Sequence, residues 1–148
     1  MEPVQGLKIR MITEKDMPAI VEVDKRISGR ERVSSDRKAA SSHFWTYYPP
    51  LSFVGEVKGK IVGFVIGTIG GPEFSLPVSG WLNIVGVDPE YQGQGVGKAL
   101  VKHFIDTCQK DRIRARCMIP RRTGRFEKML LALGFEHGEL VDFVRDPQ

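Results

Sequence analysis

The residues with the plainest chemical purpose are Gln92-Gly93-Gln94-Gly95-Val96-Gly97-Lys98. Three glycines at alternate positions let a backbone approach a ligand with no Cβ in the way. The run follows an apolar, β-branched stretch, Leu82–Val87, which reads as a strand that Asp88-Pro89 brings to a stop. From Val96 the pattern becomes helical, with Val96, Ala99, Leu100, Phe104, Ile105 and Cys108 on one face. A strand, a glycine turn and a helix in this order aim unpaired N–H groups and a positive dipole end at an anion. The chemistry implied is the binding of a ligand that carries phosphates.

Spacing narrows the ligand. A nucleotide-triphosphate loop needs Gly, four residues and Gly-Lys-Ser/Thr; here Gln92 precedes Gly97 by five and Ala99 follows Lys98. A dinucleotide loop needs G-x-G-x-x-G early in a βαβ unit; here the spacing is G-x-G-x-G, late in the chain. Both fail.

Acid–base chemistry has one candidate from patterning alone. Asp24 shares the inner face of an expected helix, Glu14–Ile27, with Met17, Ile20 and Val21, so it is either a paired core carboxylate or a functional one. Cys108 and Cys117 are the only cysteines and lack metal-ligand spacing, so they read as small core residues rather than a metal site or disulfide framework.

The elements that must position these groups follow in order. Leu7–Met11 alternates as a half-buried strand, and Thr13 to Asp16 is a capping signature for the first helix. Residues 28–42 are polar and basic and suggest a short second helix, and His43–Pro50 is an aromatic cluster that either packs on the sheet or walls a pocket. Leu51–Val57 and Lys60–Ile69 form a hairpin around Lys58-Gly59. A loop, Gly70–Pro77, enters the central strand. Ile113–Ile119 is another strand, Gly124–Leu133 a short helix closed by Gly134, and Phe135–Val144 a last strand. The order is β-α-(α)-β-β-β-α-β-α-β, an α/β mixed sheet with helices on both faces and a single domain over 1–148.

The 148 residues carry a net charge of +4, which suits an anionic ligand and is modest for a nucleic-acid binder. The charge is uneven: Arg112–Lys128 holds seven basic residues against one acid, Glu127. No run approaches the roughly 20 apolar residues of a membrane span, and no signal segment opens the chain, so a cytoplasmic protein without a membrane partner is expected.

The run Val87-Asp88-Pro89-Glu90-Tyr91-Gln92-Gly93-Gln94-Gly95-Val96-Gly97-Lys98-Ala99-Leu100 resembles the acetyl-CoA loop of the GNAT N-acetyltransferase superfamily, and its text is similar to that of ribosomal-protein alanine N-acetyltransferases. The element order and the Leu133-Gly134-Phe135 ending extend the resemblance over nearly the whole chain. It implies a mostly antiparallel sheet and acetyl-CoA as cosubstrate, with no metal. Val85, Gly86 and Val87 would line the pantetheine arm, a bulge near Gly86 would splay the strand, and Gln92, Gly93, Gln94, Gly95, Val96, Gly97 and Lys98 would hold the pyrophosphate. The implied reaction is direct acetyl transfer to a primary amine of a small molecule or a protein, with Asp24 and Glu73 the carboxylates to test as base and Tyr47 and Tyr48 as spare acids. The chain departs from the pattern where an acid is expected: Leu130 stands at the usual tyrosine, Thr123 or Gly124 at the usual asparagine, and Trp81 and Met118 at positions of family glutamates. Two other readings stay open, an acetyl-CoA sensor without catalysis and a nucleic-acid binder using Arg112–Lys128. The basic run Arg26–Lys38 suits an acidic acceptor or a solvated surface, and a homodimer is left open.

Overall fold

The computed structural model describes residues 4–28, 48–120 and 124–148. The expected second helix, most of the aromatic cluster with His43 and Tyr47, the arginines from Arg30 onward in the acceptor-side run, and Thr123 lie outside them. Two compact units are formed, Met1–Met118 and Ile119–Gln148.

The first unit is a five-stranded sheet in the order β1-β2-β3-β4-β5. Its strands are β1 (Lys8–Met11), β2 (Phe53–Val57), β3 (Lys60–Gly70), β4 (Ser79–Val87) and β5 (Arg114–Cys117). The first four are antiparallel, and β5 lies parallel to β4, the pairing that a helical crossover makes possible. Lys58 and Gly59 turn the β2–β3 hairpin with φ of 51° and 76°, as a two-residue primed turn requires. Helix α1 (Met17–Ser28) and helix α2 (Val96–Lys110) cover opposite faces. A Cβ on Gly86 would strike Ile27 of α1, whereas the next residue, Val87, reaches Gly97 of α2. Strand β3 is therefore buried on both sides from Val62 to Gly67, which is why it is a continuous apolar run rather than an alternating one.

One face is filled by Ile12, Met17, Ile20, Val21 and Val23 against Val54, Phe64 and Ile66. The other receives a single row of α2, Val96, Leu100, Phe104 and Cys108, whose four-residue spacing stacks them on one stripe, together with Val101, which periodicity alone did not place there. The first helix begins later than expected. Glu14–Asp16 forms a 3-10 turn, because Asp16 accepts from the Thr13 N–H (2.7 Å) and hydroxyl (3.0 Å) and from both ends of the Arg10 fork (2.8 Å each). Strand β2 likewise starts at Phe53 rather than Leu51, since Pro49–Leu51 takes up a 3-10 turn.

The second unit contains α3 (Gly124–Ala132). Gly134 closes it at φ 94°, with the Phe135 N–H on the Leu130 carbonyl (3.0 Å) and the Gly134 N–H on Leu131 (3.1 Å), the αL cap expected there. The last expected strand does not form. Residues 135–148 have no regular secondary structure, and Val141, Phe143 and Val144 are 75%, 91% and 85% exposed. Apolar patterning gives strand propensity, but the strand exists only where an edge supplies its hydrogen bonds.

Candidate anion-binding loop and acceptor side

The loop between β4 and α2 is built by its own side chains. Asp88 donates its N–H to Val62 (2.8 Å), its Oδ1 accepts from the Glu90 N–H (3.0 Å), and its carbonyl accepts from Tyr91 (2.8 Å), winding Pro89–Tyr91 into a 3-10 turn. The two glutamines are braces. Gln92 Nε2 donates to the Val87 carbonyl (3.1 Å) and Gln94 Nε2 to Glu90 (3.1 Å). Gly93 and Gly95 take φ of 77° and 80°, a region that costs other residues roughly 1–2 kcal/mol.

Gly95 is the N-cap of the 15-residue α2, and because it has no side chain the helix starts uncapped and without an acid in its first turn. The N–H groups of Val96, Gly97 and Lys98 therefore have no intrahelical acceptor. A Cβ on Gly93 would stand in open space, so its glycine is required for backbone angle alone. Val96 is buried and pins the turn to the sheet, while Lys98 is exposed and carries its charge beside the same N–H groups. Anionic oxygens fit this arrangement, through donors that converge and a positive dipole end.

Strand β4 leads into the loop. β5 runs alongside it only from Ser79 to Leu82, and β4 continues to Val87. The bulge lies earlier than expected. The register with β3 passes from Gly67↔Leu82 to Ile66↔Ile84, leaving Asn83 as the extra residue, and Asn83 Nδ2 donates to Thr68 Oγ1 (2.9 Å). At Gly86 pairing is regular, and the glycine is there because a Cβ would come within 2.5 Å of Phe64.

The two expected carboxylates sit on different elements. Asp24 is fully buried on the sheet side of α1 and engaged there. Glu73 is exposed in the 3-10 turn after β3, its Oε2 accepting from the Gly71 N–H (3.0 Å). Its other oxygen and the buried indole N–H of Trp81 both lie beside Gly70, within 2.5 and 3.4 Å of where a Cβ would be. Among the described residues the Trp81 N–H has no acceptor. Phe74 packs against the Trp81 ring at 5.6 Å and the Arg116 guanidinium lies 5.8 Å from its centroid. Arg116, part of the basic stretch, also donates to Ser79 Oγ (3.2 Å), so it is engaged with the sheet rather than displayed for nucleic acid.

At the positions where the resemblance expects acids, Leu130 is buried and Met118 is 66% exposed. Burial pushes the thiols of Cys108 and Cys117 up to about 11, Asp111 adding to the effect at Cys108, which disfavours their thiolate forms near neutrality. Sequence reasoning missed one contact at the loop: Arg26 Nη2 of α1 lies 2.7 Å from Asp88 Oδ2. The partners are 62 positions apart, and no periodicity joins them. Among the described residues no His/Cys/Asp/Glu group is placed to hold a metal, and no helix is long and apolar enough to cross a membrane.

The fold is thus a mostly antiparallel sheet that takes its parallel fifth strand through a helix with an uncapped N-terminus. The sequence profile of the acetyltransferase (GNAT) family matches residues 17–124. The chain belongs to that family. It is 28% identical over 94 residues to an uncharacterized N-acetyltransferase of Methanocaldococcus jannaschii, covering 64% of this chain and 54% of that protein. It is 32% identical over 102 residues to the ribosomal protein bS18 alanine N-acetyltransferase of Escherichia coli, covering 69% and 62%. The chain thus spans little more than half the length of these curated relatives. An aminoglycoside N-acetyltransferase solved in complex with CoA shares the fold at a TM-score of 0.74 and 18% identity, covering 95% of this chain and 94% of that one.

Proposed function

We propose that this protein is an acetyl-CoA-dependent N-acetyltransferase that passes the acetyl group directly to a primary amine of a small molecule or a protein. The observation that carries the reading is the uncapped start of α2 behind Gly93 and Gly95, immediately after β4. In this reading the N–H groups from Gly93 to Lys98 and the Lys98 ammonium hold the pyrophosphate. Gln92 and Gln94 keep the loop in shape, and the backbone of Val85, Gly86 and Val87 lines the pantetheine arm. Acetyl-CoA, when bound, supplies the activated thioester.

A base first takes one proton from the ammonium, the freed nitrogen then forms a bond to the acetyl carbon, the carbon–sulfur bond breaks, and CoA leaves as a thiolate that takes up the second nitrogen proton. Glu73 is the base we assign, because its carboxylate is exposed at the mouth of the β3–β4 connection and open to a cationic amine. Asp24, enclosed and engaged, is given no proton-transfer step. A cytoplasmic setting is part of the same proposal. The ribosomal-protein alanine in the E. coli relative's name and the aminoglycoside in the structural neighbour's give the two acceptor classes to try first.

Calorimetric titration with acetyl-CoA tests the reading, beside a Gly95→Glu variant that places an anion where the pyrophosphate belongs. Micromolar binding by the wild type that disappears in the variant is expected. Release of free thiol with a panel of an alanine-terminated peptide, an aminoglycoside and simple diamines then separates an enzyme from a sensor, the outcome that the apolar Leu130 would favour. No binding by folded wild type would overturn the proposal.

A further inference from the structure

Asp88 occupies the point at which β4 becomes the anion loop, and its carboxylate is divided between two tasks. Oδ1 holds the Glu90 N–H and so shapes the turn, while Oδ2 faces Arg26 of α1 at 2.7 Å. The Asp88 side chain is 1% exposed and that of Arg26 39%, so one partner is sealed in the protein and the other reaches it from the surface. Among the described residues Oδ2 has no aligned hydrogen-bond donor, which leaves Arg26 as the group that compensates its charge. A buried carboxylate that loses its counter-charge must draw in water or move. Each of these shifts the residue on which the whole turn hangs, because Asp88 also makes two of the turn's backbone bonds, to Val62 and from Tyr91.

We infer that Arg26 and Asp88 form a positioning pair that locks α1 to the hinge of the donor loop and thereby sets affinity for acetyl-CoA rather than the rate of transfer. The inference rests on the reading of that loop as the acetyl-CoA site. The side chains of the pair are assigned no contact with the cosubstrate; they act by holding the N–H groups from Gly93 to Lys98 in the register that a diphosphate needs. Binding energy is lost when such groups must be ordered by the ligand itself. The end of α1 is in this way tied to the donor site through one ion pair, although the partners stand 62 positions apart in the chain.

The test measures acetyl-CoA affinity by calorimetry, and KM and kcat by thiol release, in wild type, Arg26→Gln, Arg26→Lys, Asp88→Asn and the Arg26→Gln/Asp88→Asn double variant. Asp88→Asn can keep its carbonyl oxygen on the Glu90 N–H while an uncharged NH2 replaces the Oδ2 that faces Arg26, a donor-to-donor encounter that the double variant relieves. The expected result is about a 10-fold weaker affinity and higher KM in each neutralised single variant, within the coupling range of residues in contact. The double variant should be no weaker than the worse single, Arg26→Lys should recover most of the loss, and kcat at saturating donor should stay within about 2-fold, a split that general destabilisation does not produce. Should Asp88→Asn fail to fold, the Arg26 variants carry the test, since that side chain lies at the surface. Unchanged affinity in folded Arg26→Gln, or losses that multiply in the double variant, overturns the pair while leaving the loop reading intact. Absence of binding by the wild type overturns the loop reading and the pair with it.

Discussion

A Cβ on Gly80 of β4 would lie 2.7 Å from Cys108 Sγ on α2. The same helix row meets other glycines: Gly63 lies within 3.0 Å of Val96 and Leu100 by the same measure, and Gly67 within 2.9 Å of Phe104. The strands under α2 are therefore cut away by missing side chains, and the helix settles deep enough to set the height of its first turn, where the anion donors are. Gly80→Ala should cost about 2 kcal/mol by overpacking. In a Cys108→Ala background part of that cost should vanish, so that the double variant is more stable than the sum of the singles by about 1 kcal/mol or more. Urea unfolding of the four proteins decides it, and strict additivity would sink the packing argument.

Asp16 gives the fold a pH signature. Burial alone would raise its carboxyl, but the Arg10 fork and the two Thr13 donors outweigh burial and hold it below its ordinary value. A carboxylate with a lowered folded value stabilises the fold above its unfolded pKa, and that stability drains away as pH falls through the lower folded value. Wild type should lose stability steadily below about pH 4, the ordinary carboxylate region. Asp16→Asn should start roughly 1–3 kcal/mol less stable at pH 7, the cost of losing charge-assisted bonds, and show a flatter acid limb. Parallel denaturation curves for the two proteins between pH 7 and pH 2 would refute the assignment.

Much of this arrangement was legible in the residues, for identifiable reasons. The loop, the α2 stripe, the Lys58-Gly59 hairpin and the Gly134 cap are local, and their spacing alone states the backbone they need. The bulge at Asn83 was misplaced to Gly86 because a glycine in a strand has two explanations, a bulge or a close neighbour, and only packing against Phe64 distinguishes them. The expected last strand does not form because apolar residues in Phe135–Val144 say nothing of whether an edge awaits them. Arg26–Asp88 was invisible, since an ion pair between distant elements leaves no period.

Cys108, in the core, and Cys117, half-buried, should both be slow to react. With a thiol pushed up to about 11, only about one part in a thousand of Cys117 is thiolate at pH 8. An unhindered thiol with an ordinary value would be roughly a quarter ionised there. Both cysteines should react with disulfide reagents about 100-fold more slowly than a free thiol at pH 8 and at the ordinary rate in denaturant. Cys117→Ala should leave acetyl transfer unchanged. A fast-reacting thiol in the folded protein would refute the burial argument.

Gly97 separates what the fold needs from what the ligand needs. It lies in the first turn of α2, and a Cβ there would meet only Val87 Cγ2, at an ordinary 3.4 Å. For folding alone, alanine is the better residue: it has higher helix propensity and a less flexible unfolded chain, a gain of roughly 0.5–1 kcal/mol. If the diphosphate is cradled by the backbone from Gly93 to Lys98, however, the new methyl stands at the surface the oxygens approach. Gly97→Ala should therefore raise the melting temperature by a few degrees while weakening acetyl-CoA binding about 10-fold, the scale of a lost close contact. Gly93→Ala should do something different, losing about 1 kcal/mol of stability because its φ of 77° disfavours a side chain. A Gly97→Ala protein that is both more stable and equally avid would show that the ligand approaches α2 elsewhere than over its first turn.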